Sequence, residues 1–284
     1  MGGTVRSGDV TTLGLIVSLV LIAVALGLSL WQRLHLEREI VWATIRSIVQ
    51  LLAVGAILAI VIDPDQPLIL SWIWVAAMMV FSAIVVQRRA REVPDILRLS
   101  FLSLGISSVV TLGVIFGLRV FPLEGRTLVP LGGMMIGNSM KATVVAARRV
   151  IEEIRDKRRE VEARLALGQA SRLASRPYVR AALRTALTPQ IETTKAVGLV
   201  FLPGAMTGLI LAGVDPVDAV LVQAAIMFLI LGSVATTSTV VTLGVASRLF
   251  TDDHRLKRLP RPSDVSARPG LLASLAARLR HRRH

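Results

Sequence analysis

The sequence predicts an all-α, polytopic membrane protein of about seven transmembrane helices, with the N-terminus outside and the C-terminus in the cytoplasm. Three observations lead there. First, 53% of the 284 residues are apolar and only 18% are charged, with a mean hydropathy of +0.65; a water-soluble domain carries about a quarter charged residues. Second, about 150 apolar positions, divided by the roughly 20 that one crossing needs, allow about seven spans. Third, the 33 basic residues are concentrated on one side of those spans.

Apolar windows of about 19 residues place the spans at 10–31, 40–62, 68–86, 96–121, 127–147, 191–212 and 217–246. The first is too long for a cleaved leader, has no basic cluster before it and ends in Trp31-Gln32-Arg33 rather than small residues. Asp63-Pro64-Asp65-Gln66-Pro67 and Gly213-Val214-Asp215-Pro216 carry turn chemistry that cannot continue a helix. The last run exceeds one crossing. It tilts, extends into the cytosol or breaks near Thr236-Thr237-Ser238-Thr239.

With the N-terminus outside, and with the span-end residues Arg98, Arg119 and Asp218 counted with the loops beside them, the cytoplasmic segments hold 27 of the 33 Lys and Arg, giving a net +15 inside, −3 outside and +2 within the spans. This is a positive-inside signal, and it explains the overall +14 through topology and anionic headgroups rather than nucleic acid. The chain divides into an external segment 1–9, spans one to five within 10–147, a charged cytoplasmic loop 148–190, spans six and seven within 191–246, and a basic cytoplasmic tail 247–284. Within the tail, 270–280 has the pattern of a basic amphipathic helix on the inner leaflet, and a disordered tail fits as well.

Several chemistries are excluded. There is no phosphate loop. No cysteine is present, and His35, His254, His281 and His284 all fall in cytoplasmic segments. An intramembrane metal contact would therefore use oxygen or thioether ligands, and the residues for one are not identifiable.

The informative positions are polar or conformationally special residues inside the spans. Arg46 and Gln50 share a helix face at i,i+4; the arginine either reaches the inner headgroups or serves an interhelical or pathway role. The fifth span reads Gly133-Met134-Met135-Ile136-Gly137-Asn138-Ser139-Met140-Lys141. Its G-x-x-x-G permits close helix approach, and Asn138, Ser139 and Met140 suit either packing or a solute path. In Leu202-Pro203-Gly204-Ala205-Met206-Thr207-Gly208 the proline should kink or break the sixth span, as helices lining wet cavities often are. A plain packing kink helped by Gly204 and Gly208 is the other reading. Gln223 reads as an interhelical hydrogen bond, and Glu192 with Lys195 as a local ion pair. In the cytoplasmic loop, Glu162-Ala163-Arg164-Leu165-Ala166-Leu167-Gly168 reads as a short helix closed by glycine.

Together, Arg46-Ser47-Ile48-Val49-Gln50-Leu51, the Gly-Asn-Ser-Met block, segment 162–168 and Leu-Pro-Gly-x-Met-Thr-Gly resemble the FetB-like, UPF0014-type family of iron-export ABC permeases. They are also similar to plant aluminium-tolerance ABC membrane subunits. The resemblance covers roughly 40–246. It implies a permease without ATPase chemistry of its own, in a bacterial inner membrane, exporting iron or another metal ion. It further implies a separate ATP-binding subunit that holds ATP and Mg, and a permease homodimer. No cofactor is expected on this chain. Path lining would fall to Arg46, Gln50, Asn138, Ser139, Met140, Met206 and Thr207, gating to Pro203, Gly204 and Gly208, and ATPase docking to Glu162, Ala163, Leu165 and Gly168. Arg164 stands where the importer E-A-A pattern has a second alanine, and the helix-breaking Pro189 comes later than that pattern places it. The rival reading is a self-sufficient secondary carrier or channel, a class that usually carries intramembrane carboxylates.

Overall fold

The computed structural model describes residues 12–198 and 202–257; the external segment and the 270–280 stretch lie outside the described residues. Those described form nine helices and no sheet: α1 (Thr12–Trp31), α2 (Glu37–Val61), α3 (Leu68–Arg89), α4 (Ile96–Gly117), α5 (Gly125–Asp156), α6 (Arg158–Ala166), α7 (Ser171–Ala196), α8 (Gly204–Leu211) and α9 (Pro216–Arg248). By length and composition α2, α3, α4 and α9 can each cross a membrane, and Leu19–Trp31 is a shorter apolar helix segment.

Local chemistry sets the breaks. Between α2 and α3, the Asp65 N–H donates to Asp63 Oδ1 at 3.0 Å, and Pro67 starts the next helix with φ fixed at −63°. Gly213, at φ +90°, turns the chain after α8, where a side chain would be strained. Asp215 then caps α9, accepting the Val217 N–H at 2.8 Å with Pro216 at the first turn.

The predicted sixth span is not one helix. Its first residues end α7, Gly198 adopts φ +84°, and α8 restarts directly after Pro203. The break expected at the proline is present, but it is wider than a kink. Pro189, expected to break a helix, lies inside α7 together with Pro177. Both prolines are exposed while Ala182 and Ala186 are buried, so packing on α5 and α9 holds the helix across the missing N–H. No break occurs at Thr236-Thr237-Ser238-Thr239; α9 runs unbroken for 33 residues. α5 likewise passes residue 147 without interruption and ends in Glu152, Glu153 and Arg155.

α5 and α9 pack on each other at the centre, with α3, α4 and α7 around them, while α2 packs on α1 and more lightly on α3. Buried apolar residues form two clusters. One joins Val75, Leu112, Leu128, Met135 and Leu229 in the middle of the bundle. The other joins Val86, Ile96, Val150, Ile154, Val161 and Val245 at the end where the arginines gather, hereafter the basic end. The outer surface is apolar: Leu51 and Leu52 are 72% and Val109 76% exposed. A soluble monomer seldom shows such continuous apolar area; lipid tails accept it.

The close helix approach is not at Gly133 and Gly137. A Cβ on Gly137 would meet nothing within 4 Å, and one on Gly133 only Met78 at 3.7 Å, whereas one on Gly132 would stand 3.1 Å from Val75 Cγ2. The contact falls one residue early because α3 crosses α5 on that face. Gly132→Val is expected to cost about 1–3 kcal/mol through overpacking, seen as a lower melting midpoint in detergent, while Gly137→Ala should leave the midpoint unchanged.

Candidate functional site

Serine and threonine side chains line the contact of α4, α5 and α9. α4 and α9 run antiparallel: Arg248 pairs with Asp95 at 3.2 Å, and farther along Ser107 Oγ donates to the Ser233 carbonyl at 3.0 Å. At the same level Ser139 Oγ donates to Ser233 Oγ at 3.2 Å, tying in α5. One turn along α4, Thr111 donates to the Ser107 carbonyl at 2.6 Å and touches the Met135 sulfur at 2.7 Å. Thr143 donates back to the Ser139 carbonyl at 2.7 Å. Towards the basic end lie Ser103, Ser100, Thr237, Ser238 and Thr242, all fully buried.

Among the described residues, the hydroxyls of Ser100, Ser108, Thr237, Ser238 and Thr242 and Gln223 Oε1 are buried without a protein partner. An orphaned polar atom costs about 1–3 kcal/mol, and lipid supplies no substitute. Hydroxyls in such a seam can take water or a solute as partner. Sequence reading missed this seam, although the i,i+4 spacings Ser103-Ser107-Thr111, Ser139-Thr143, Ser233-Thr237 and Ser238-Thr242 were its signal. Gln223, expected to bond between helices, is buried with its oxygen unpartnered.

The sequence-named residues fall in three places. Ser139 lies in the seam; its neighbours Asn138 and Met140 are half-buried, with Asn138 Nδ2 donating to the Met134 carbonyl at 2.8 Å. Met206 and Thr207 are half-buried on α8, which packs on α9, and Thr207 Oγ1 donates to the Pro203 carbonyl at 3.2 Å. Added Cβ atoms on Gly204 and Gly208 would meet nothing within 4 Å. Arg46 and Gln50 are exposed on α2, and one chain does not bring them to the α5 group. Glu192 and Lys195 do pair, at 2.9 Å. No three His, Asp or Glu side chains among the described residues come together to hold a metal ion.

At the basic end, α6 is a short lever between α5 and α7. Val161 is fully buried and Leu165 packs on the same core, so these two residues anchor the helix. Glu162, Ala163 and Gly168 face outward, with Leu167 81% exposed beside them, and Glu162 pairs with Arg158 at 2.7 Å. Gly168, at φ +82°, ends the helix: its N–H reaches the Leu165 carbonyl at 2.9 Å and the Gln169 N–H the Arg164 carbonyl at 3.1 Å.

Glu160 fastens α6 to α7. Lys157 Nζ donates to it at 3.0 Å and Tyr178 Oη at 3.0 Å, and these bonds hold its carboxyl below the usual glutamate range. Burial first, then the bond to Glu160, pushes the Tyr178 hydroxyl up. A depressed carboxyl stabilises above its unfolded pKa, and the contribution is lost as pH falls through the folded value. Hydrogen exchange in α6 should therefore accelerate, relative to α5, below the ordinary glutamate range, and Tyr178→Phe should lessen that acceleration.

Comparison with known proteins agrees with this architecture. Residues 12–250 match the profile described as "Uncharacterised protein family (UPF0014)". The chain is similar to "UPF0014 membrane protein YjkA" of Bacillus subtilis, 32% identical over 87% of this chain and 98% of that one. It is similar to "Protein ALUMINUM SENSITIVE 3" of Arabidopsis thaliana, 32% identical over 84% and 88%, and to "Probable iron export permease protein FetB" of Escherichia coli, 31% identical over 86% and 94%. No solved structure matches. An all-helical bundle with apolar spans and an apolar exterior, matched by this profile from its first described helix to the end of α9, is a multi-pass membrane protein that belongs to the UPF0014 family.

Proposed function

We propose that this chain is the membrane-spanning permease subunit of an ABC-type transporter that exports iron or another metal ion. ATP is hydrolysed in a separate subunit, which holds ATP and Mg. The observation that carries the reading is α6: a short helix anchored by Val161 and Leu165, closed by a left-handed Gly168, and presenting Glu162, Ala163 and Leu167 outward. A rigid element exposed at one end and rooted in the core at the other can transmit a push from a partner to α5 and α7. The names of the relatives, an iron export permease and an aluminium-sensitivity protein, support a metal ion as the solute.

On this reading the chain lies in the inner membrane of a bacterial cell with its basic end towards the cytoplasm, an orientation that the Lys and Arg bias supports. The path uses Asn138, Ser139 and Met140 with the hydroxyl seam, and Met206 and Thr207 across the break at Pro203, Gly204 and Gly208. Arg46 and Gln50 join it from a second copy of the chain, because an arginine facing lipid costs about 3 kcal/mol. Oxygen and thioether groups without histidine or carboxylate suit weak, transient metal contact.

The test is copurification with the co-expressed ATP-binding subunit. Wild type should retain it, and Glu162→Arg combined with Gly168→Trp should lose it at unchanged permease yield. Equal retention by the double variant removes the docking role.

A further inference from the structure

α7 carries Arg172, Arg176, Arg180 and Arg184, one every fourth residue. At 3.6 residues per turn each step drifts by about 40°, so the four guanidiniums form one stripe about 18 Å long. All four are exposed, on the flank away from Tyr178, Ala182 and Ala186. Among the described residues none of them forms an ion pair, whereas Arg148, Arg149, Arg155, Arg158 and Arg248 all do. A run of four like charges at contact spacing is destabilising unless something answers it.

The stripe leads into a cavity of about 910 Å³ between the start of α7 and the end of α9, lined by Arg172 and Arg176 together with Leu173, Leu243, Phe250 and His254. The His254 ring also meets Ser171 Oγ at 3.0 Å. Among the described residues Asp252 is the one carboxylate on its wall. Leu173 and Leu243 are more than half exposed beside the arginines. Height in the bundle is set by α4, whose Leu99 lies against Gly244 and whose Arg98 is exposed one residue before it. The cavity thus sits where the apolar surface of α9 gives way to charge.

We propose that this stripe and cavity are a binding site for an anionic phospholipid, the arginines taking the phosphodiester and the leucines the first part of an acyl chain. A basic surface at the headgroup level is attracted to anionic lipid, by about fivefold in affinity per arginine. The planar guanidinium suits phosphate oxygens. The exposed leucines favour a lipid over an acidic protein or a free anion. The site needs neither a transported solute nor a docked ATPase.

The experiment uses the full chain purified in neutral detergent and native mass spectrometry of retained dioleoylphosphatidylglycerol against dioleoylphosphatidylcholine. Wild type should retain the anionic lipid at least tenfold better, with retention falling as NaCl rises. Arg172→Gln with Arg176→Gln should lower it by more than tenfold, and the four-fold glutamine variant further. The four-fold lysine variant should keep most of it, and Arg126→Gln, at the other end of the bundle, all of it. Should the four-fold glutamine variant fail to fold, the double variant gives the same readout. Equal retention of both lipids, or undiminished retention by the double variant, overturns the proposal. So does full displacement by 10 mM inorganic phosphate, which would mean a free-anion site. Loss of a copurifying ATP-binding subunit at unchanged lipid retention would likewise overturn it, making the stripe a protein-docking surface.

Discussion

Ser233→Leu is expected to lower the melting midpoint of the detergent-solubilised chain by about 5–10 °C. Ser233 is fully buried; its carbonyl accepts from Ser107 on α4 and its hydroxyl from Ser139 on α5. A leucine puts three carbons in place of one oxygen at the meeting point of three helices, at about 1–3 kcal/mol for overpacking. It also leaves the Ser139 hydroxyl without its partner, at about 1 kcal/mol more. For a chain of this size each kcal/mol moves the midpoint by about 2–4 °C. Ser233→Ala, which removes the hydroxyl without adding volume, should shift it by less than about 4 °C. If leucine and alanine behave alike, α4, α5 and α9 do not pack as tightly there as described.

The second large effect concerns the break between α7 and α8. Two devices hold it: Gly198 at φ +84° and Pro203, whose extended backbone precedes α8. Pro203→Ala alone leaves the glycine turn in place and should change little. Gly198→Val puts a β-branched residue where φ is positive, at about 1–2 kcal/mol, and combining it with Pro203→Ala favours a continuous helix from α7 into α8. The double variant should remain folded, because Met206, Thr207 and their neighbours pack only partly into the bundle. It should lose at least tenfold in metal export from cells, since a continuous helix removes the hinge. Export at the wild-type rate would mean that the break is a packing accommodation without a gating role.

Much of the architecture was readable in advance, for identifiable reasons. Turn chemistry at Asp63-Pro64 and Gly213-Val214-Asp215-Pro216 acts locally, so those boundaries followed from residue type. Pro189 misled because its effect depends on what packs against the helix around it, and α5 and α9 support α7 there. The close approach at Gly132 rather than Gly133 and Gly137 depends on the rotation of α3 against α5, which spacing within one helix does not encode. The hydroxyl seam was hidden because a serine in an apolar run reads the same whether it bonds its own helix or faces two others. Segment 162–168 was legible as a short helix closed by glycine, but not that Leu165, named there for ATPase docking, is half-buried and packs on the core that anchors α6.

On the proposed function, this chain moves a metal ion only when a partner hydrolyses ATP. Reconstitution of the full chain into proteoliposomes, with and without its ATP-binding subunit, and a fluorescent indicator for ferrous iron inside, tests it most directly. ATP added outside should drive iron movement only when both subunits are present. Neither a proton nor a sodium gradient should replace ATP, since the two carboxylates in the predicted spans, Glu192 and Asp218, are both exposed near span ends, and Glu192 is held by Lys195. Gradient-driven iron movement by this chain alone, without ATP or partner, would contradict the account.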